Sequence, residues 1–421
     1  MDIRRLQLWA SRTATLMDND LVRCVIEDQG GMCIEFSSVN CMGGRENCAS
    51  IPHFRSMGVS VFNDENASFW KDSPTLYQMG GSYVCFPNYG PANPGKMDEE
   101  DANGYTASSY WMVERYGTDL TSGGIWVLSS VKNRQRRYVV RKLDMLLPGE
   151  HVHYTAVSVT NNGTEPLLAN AAWSNNLGFP FLESGCVLNS CAKTWMTEPD
   201  HPDENVHHSF AAALQFDDLS HIPLGGGKFS DYTVVPMPNG CTDFISGRVP
   251  RQVPWGWSSV INPRQQMLEL SFFPGPLTVE DGDIPMNFIN YQFNYGGMHG
   301  TPYSLYDGGT SQSFSLDCGA GTNMLSLGLS AAKEKTTLMG VDTLVTINPG
   351  KTKTMYYAQA FLPYENPRMG LNFFSLEQTE GGLTLRRTKS WMFVACDPEF
   401  NAIRKLVASL NAERNGSDSG E

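Results

Sequence analysis

The sequence predicts an all-β sandwich, and three observations carry that prediction. Forty glycines and 24 prolines, with only 18% charged residues, favour short strands and tight turns over long surface helices. Apolar and polar residues alternate in short runs that end at turn signals. Only residues 399–413 have convincing helical spacing: Phe400, Ile403, Leu406, Val407 and Leu410 fall on one face, and Asp397-Pro398 supplies a start signal.

Residues 22–27 and 32–36 are strand-like runs broken by Gly30-Gly31, an opening hairpin. Residues 138–146 form a strand, Pro148-Gly149-Glu150 turns the chain, and residues 151–160 alternate until Asn161-Asn162-Gly163. Further strands are expected at 234–237, 266–273, 288–293, 324–329, 343–347 and 354–361, with Pro349-Gly350-Lys351 as a hairpin turn between the last two. Residues 88–104 form a long loop rich in Pro, Gly and acid. No internal repeat and no linker is visible, so one sandwich domain is expected over 8–365. A C-terminal extension with the helix follows over 366–413, then a disordered tail over 414–421.

A net charge of −13 and a pI near 5.1 oppose phosphate backbones and anionic membranes, which excludes nucleic acid as a natural partner. The basic run Arg134-Gln135-Arg136-Arg137 reads as a solvated loop before a strand. The N-terminal residues lead into no long apolar segment, and no stretch approaches the roughly 20 apolar residues of a membrane helix. The ten cysteines are irregularly spaced, without a CxxC pair, and a cytoplasmic location with reduced, buried thiols is expected.

Metals and cofactors are not expected. His151 and His153 share one strand face, but no third ligand is evident, and a polar sheet face is the simpler reading. The loop Val279-Glu280-Asp281-Gly282-Asp283 lacks the alternation of an EF-hand. His201, Asp203, Glu204, His207 and His208 match no zinc spacing and read as a surface loop.

Sugar pockets need flat aromatic surfaces for the C–H face of the ring and short neutral groups for its hydroxyls. Three clusters offer both: Phe86, Asn88 and Tyr89; Trp173, Asn175 and Asn176; and the stretch from Asn290 through Tyr295 to His299.

Four segments occur in a telling order: Gly80-Gly81-Ser82-Tyr83-Val84-Cys85-Phe86-Pro87-Asn88, Asn103-Gly104 ahead of Tyr110-Trp111, Ala172-Trp173-Ser174-Asn175-Asn176-Leu177-Gly178-Phe179-Pro180-Phe181, and Leu327-Gly328-Leu329-Ser330. Together they resemble the galactose mutarotase-like (aldose 1-epimerase) superfamily over about four fifths of the chain. The resemblance implies a mutarotase-like β-sandwich, or supersandwich, with a short C-terminal helix, and a mono- or oligosaccharide ligand. It also implies sugar contacts from Asn88, Asn103, Trp173, Asn175, Asn176 and Tyr295.

The resemblance further shows what has changed. A family His-Gly is replaced by Asn103-Gly104, a second histidine slot by Ser174, and the glutamate base by Ser330. Opening a hemiacetal needs a base on the anomeric hydroxyl and an acid on the ring oxygen, and neither Ser nor Asn exchanges protons readily at neutral pH. His299 and Glu334, with Lys333 beside the latter, are the replacement candidates. Three readings stay open: an epimerase with a relocated acid and base, a carbohydrate-binding protein, and a glycan hydrolase or lyase. A hydrolase needs two carboxyls about 5–10 Å apart, with Asp281, Asp283 and Asp307 as candidates.

Overall fold

The computed structural model describes residues 1–8, 12–56, 79–93, 100–199, 207–297, 314–325, 327–364 and 371–418. Strands dominate, and every strand pairing within its sheets is antiparallel.

The central element is an eight-stranded sheet. Its strands run in the order Val187–Ser190, Trp255–Asn262, Met267–Pro274, Thr352–Pro363, Val152–Asn161, Tyr138–Leu146, Ile125–Asn133 and Met112–Thr118. The expected strands at 138–146, 151–160, 266–273 and 354–361 all fall here. A nine-stranded sheet faces it, built around Thr242–Arg248, Phe288–Tyr295, Ala172–Ser174 and Tyr83–Cys85. A five-stranded N-terminal sheet, Asp2–Gln7 to Arg45–Asn47, lies beside it; its first strand precedes the boundary expected at residue 8.

Both faces of the eight-stranded sheet are buried. Side chains alternate across a strand, so one set points at the other two sheets and the next points away. The outward set includes Leu143, Tyr154, Phe272 and Tyr356, all buried. Phe400 covers them with ring centroids 6.0 Å from Tyr154, 5.6 Å from Phe272 and 6.0 Å from Tyr356. The helix Asn401–Asp418 extends the cover through Ile403, Leu406, Val407 and Leu410, and Arg404 fixes it by donating to Asp283 at 2.8 Å.

Four expectations change. Residues 234–237 form no strand; Val235 instead bonds in a loop to Cys186. Of the strand expected over 324–329, Gly328 and Leu329 instead open the helix Gly328–Glu334, as Gly328 at φ +67° turns the chain out of the extended region. The C-terminal extension holds a three-stranded sheet, Ser375–Thr379, Gly382–Arg386 and Trp391–Ala395, that its sequence did not announce. The last helix continues to Asp418, into the expected tail. Among the described residues, no helix is long and apolar enough to cross a membrane. All ten cysteines are free thiols.

Candidate functional site

The inner face of the eight-stranded sheet is polar although it is buried. Pairing aligns Asp144, Thr155 and Tyr357 in one row, and His153, Gln359 and Ser271 in the next. Lys142 and Glu269 share this face, and none of the eight is more than 2% exposed.

Asn175 ties this face to the opposite sheet. Its amide nitrogen donates to Glu269 Oε1 at 2.9 Å and to Ser271 Oγ at 3.0 Å. Its oxygen accepts from Ser82 Oγ and from Gln359 Nε2, both at 2.8 Å. The neighbouring Ser174 donates to Asp317 Oδ2 at 2.6 Å and accepts from Asn176 Nδ2 at 2.9 Å. Asp317 Oδ1 takes the backbone N–H of Asn175 at 3.0 Å and of Gly319 at 2.8 Å. Two carboxyl groups, Asp317 and Glu269, thus flank one asparagine.

No cation accompanies this pair within the network. Burial pushes the Glu269 carboxyl up to about 7, against the pull of hydrogen bonds from Ser271 and Asn175. Burial likewise raises Asp317 to about 6, against Ser174 and two backbone N–H groups. Both therefore exchange protons near neutrality. Glu269 Oε2, Gln359 Oε1 and Trp173 Nε1 are buried without a hydrogen-bond partner among the described residues. Such orphans are uncommon in native proteins.

The expected sugar contacts are distributed unevenly. Asn175 and Asn176 join this network, and Trp173 lies beside it, fully buried, with its ring 5.7 Å from Tyr357. Asn88 is a loop organiser instead: its amide nitrogen donates to the carbonyls of Pro91 at 2.9 Å and Asp101 at 3.0 Å, and its oxygen accepts from Leu329 N at 2.8 Å. Asn103 donates to Tyr83 Oη at 3.0 Å and accepts from Gly90 N at 3.2 Å. The following Gly104 is required by packing, since at φ +81° a Cβ there would sit 2.6 Å from the Phe86 carbonyl. Tyr295 is a core residue stacked on Tyr232 at 5.9 Å.

Of the replacement candidates, Glu334 lies in the described residues and does not meet this network. Glu334 is exposed at the end of its short helix, because the turn before it became helical. Ser330, on the same helix as Glu334, accepts from the loop residue Asn93 at 3.1 Å. His299 lies outside the described residues, as do Asp307, His201, Asp203 and Glu204. Glu280 and Asp283 are taken by Arg404, at 3.4 and 2.8 Å, so they form no open carboxylate cleft with Asp281. Arg136 of the basic run is ion-paired to Glu100.

Glu269 and Asp317 were missed in the sequence for a definite reason. Met267-Leu268-Glu269-Leu270-Ser271 alternates like a half-solvated strand, and only the second layer buries its polar side. Ser174 bonded to an acid has no signal in sequence, because Asp317 lies 143 residues away.

No protein-family profile matches the chain, and no curated protein matches it in sequence. Solved structures do match in shape. A candidate aldose 1-epimerase from Klebsiella pneumoniae superposes with TM-score 0.59 at 11% identity, over 86% of this chain and 83% of that one. A galactose mutarotase-like protein from Clostridium acetobutylicum gives 0.55 at 12%, over 86% and 99%. A TPR-domain containing protein from Parabacteroides distasonis gives 0.53 at 13%, over 96% of this chain and 55% of its own, so the architecture also occurs within a longer polypeptide. Identities this low speak to shape alone, and on shape the chain is an all-β sandwich of the galactose mutarotase-like fold.

Proposed function

We propose that this protein acts on a sugar hemiacetal, with Asp317 and Glu269 supplying the acid and base that the expected positions lack. The observation that carries the reading is the 2.6 Å bond between Ser174 and Asp317. It returns a carboxylate to the slot where the sequence resemblance expects a proton-transfer group and finds a serine. At pH 7 Asp317, near 6, is mostly ionised and suits the base; Glu269, near 7, retains a proton for the ring oxygen. Gln359, whose Oε1 has no hydrogen-bond partner among the described residues, is a neutral acceptor for a hydroxyl, and Trp173 offers an aromatic face.

A second reading is sugar binding without turnover, in which the unpartnered Gln359 Oε1 and Trp173 Nε1 hold a hydroxyl and no proton is moved. Proton NMR of anomeric exchange, across a panel of neutral aldoses with catalytic amounts of protein, separates the two. Accelerated exchange that falls by about 10²- to 10⁴-fold in Asp317→Asn, with unchanged circular dichroism, is the expected result. Saturation transfer to a sugar without acceleration supports binding alone. Neither effect on any sugar ends the hemiacetal reading.

A further inference from the structure

A second cluster on the same inner face has no part in the reading above. The hairpin strands Val22–Glu27 and Cys33–Val39 carry Cys24 and Cys33, and the strand Val152–Asn161 beneath them carries His153. A register irregularity between Val25 and Ile26 sets Cys33 opposite Ile26, while Cys24 faces Phe36. The two sulfurs and an imidazole nitrogen lie within 4.8 Å of one another, and all three residues are buried.

We propose that Cys24, Cys33 and His153 form a binding site for a thiophilic divalent ion of the zinc class. Three arguments support it. The first is reach: for atoms at most 4.8 Å apart, the central point is within about 2.8 Å of each, and small side-chain rotations close this to zinc–sulfur and zinc–nitrogen lengths of about 2.3 and 2.0 Å. The second is orientation. His153 Nε2 is 3.0 Å from Asp144 Oδ1, which leaves Nδ1 as the metal-binding atom and reproduces the carboxylate–histidine pairing that holds metal-binding imidazoles.

The third argument is charge. Asp144 is already balanced by Lys142, whose Nζ is 3.1 Å from Oδ2 and also donates to the Gly31 carbonyl at 2.6 Å. When one divalent ion binds and two thiols each release a proton to solvent, the buried site keeps its net charge unchanged. A buried site tolerates only such a neutral exchange. Two thiolates and one histidine also form a known zinc donor set, with the fourth position left to a ligand from outside the chain. Phe36, 6.0 Å from the imidazole centroid, supplies an apolar wall.

The test uses the full chain in a Cys41→Ser/Cys241→Ser background, which removes the two thiols that are not buried. The protein is produced in cobalt-supplemented medium, purified under reducing conditions, and examined for bound cobalt and for thiolate-to-cobalt charge-transfer absorption. One cobalt per chain with that absorption is expected. Zinc should displace it without loss of fold, and about two protons should be released per ion on loading. Cys24→Ala/Cys33→Ala should lose the absorption while keeping its circular dichroism, and Asp144→Asn should weaken retention by about 10- to 100-fold. Absence of the band in folded protein overturns the proposal. So does a band that persists in the double variant, or a Cys24–Cys33 disulfide in protein that has taken up no metal. If the double variant fails to fold, Asp144→Asn and the proton count decide the matter alone.

Discussion

Two buried polar clusters lie on one sheet face and treat their acids in opposite ways. Asp144, Glu269 and Asp317 are all 4% exposed or less, so desolvation presses on each of them. For Asp144, burial alone would raise the carboxyl, but Lys142 and His153 outweigh it and hold the group below its usual range. Glu269 and Asp317 have only neutral donors, and both rise towards neutrality. Burial therefore does not by itself make a reactive acid; burial without a cation does. The first cluster is organised like a structural or metal-orienting site, and the second like a proton-transfer site.

Removing the cation should erase that contrast. Lys142→Met keeps the apolar stem but leaves Asp144 without its ammonium partner, and a buried pair broken from one side costs about 3–5 kcal/mol. Urea unfolding at pH 7 measures this. The loss should shrink as pH falls and Asp144 takes up a proton. A loss below about 1 kcal/mol would show that His153 alone compensates the carboxylate.

Glu269→Gln acts in the opposite cluster and is read through pH. Below about 4.5 both native and unfolded chains hold the Glu269 proton. Between about 4.5 and 7 only the native chain retains it, so native stability falls as pH rises, and above about 7 the penalty is constant. The variant lacks this term. Its stability relative to the parent should grow by on the order of 3 kcal/mol between pH 5 and pH 8, measured by denaturant unfolding at each pH. A parallel pair of pH profiles would mean that Glu269 titrates normally.

The smallest effect is expected at Glu334, a candidate from sequence that the fold leaves in solvent. Glu334→Gln should change stability by less than about 0.5 kcal/mol and leave any sugar exchange untouched, as surface substitutions usually do. A loss of exchange in this variant would move the reacting site away from Asp317.

Legibility in the sequence followed the range of the physics involved. The strands Tyr138–Leu146 and Val152–Asn161 were readable because alternation and the Pro148-Gly149 turn are local. The C-terminal helix was readable from its apolar stripe. The strands Ser375–Thr379 and Gly382–Arg386 were missed because their alternation is diluted by Glu, Gln and Gly on the outer side. Trp173, Asn175 and Asn176 were singled out through ordered motifs and lie in or beside the buried network, whereas Glu269, Asp317, Cys24 and Cys33 are joined only by layers folding together. Polar alternation in a strand ordinarily signals water on one side; here it signals a second sheet.

The arrangement around Phe400 also has a consequence for how the protein is made. Its ring and the helix after it shield the outer side of a sheet whose strands all precede them in the chain. A ribosome therefore completes the entire sheet before it delivers the cover. During that interval Leu143, Tyr154, Phe272 and Tyr356 stand open to solvent or to a chaperone. A premature stop before residue 400 would make this exposure permanent and yield a chain that aggregates rather than one that merely lacks a helix.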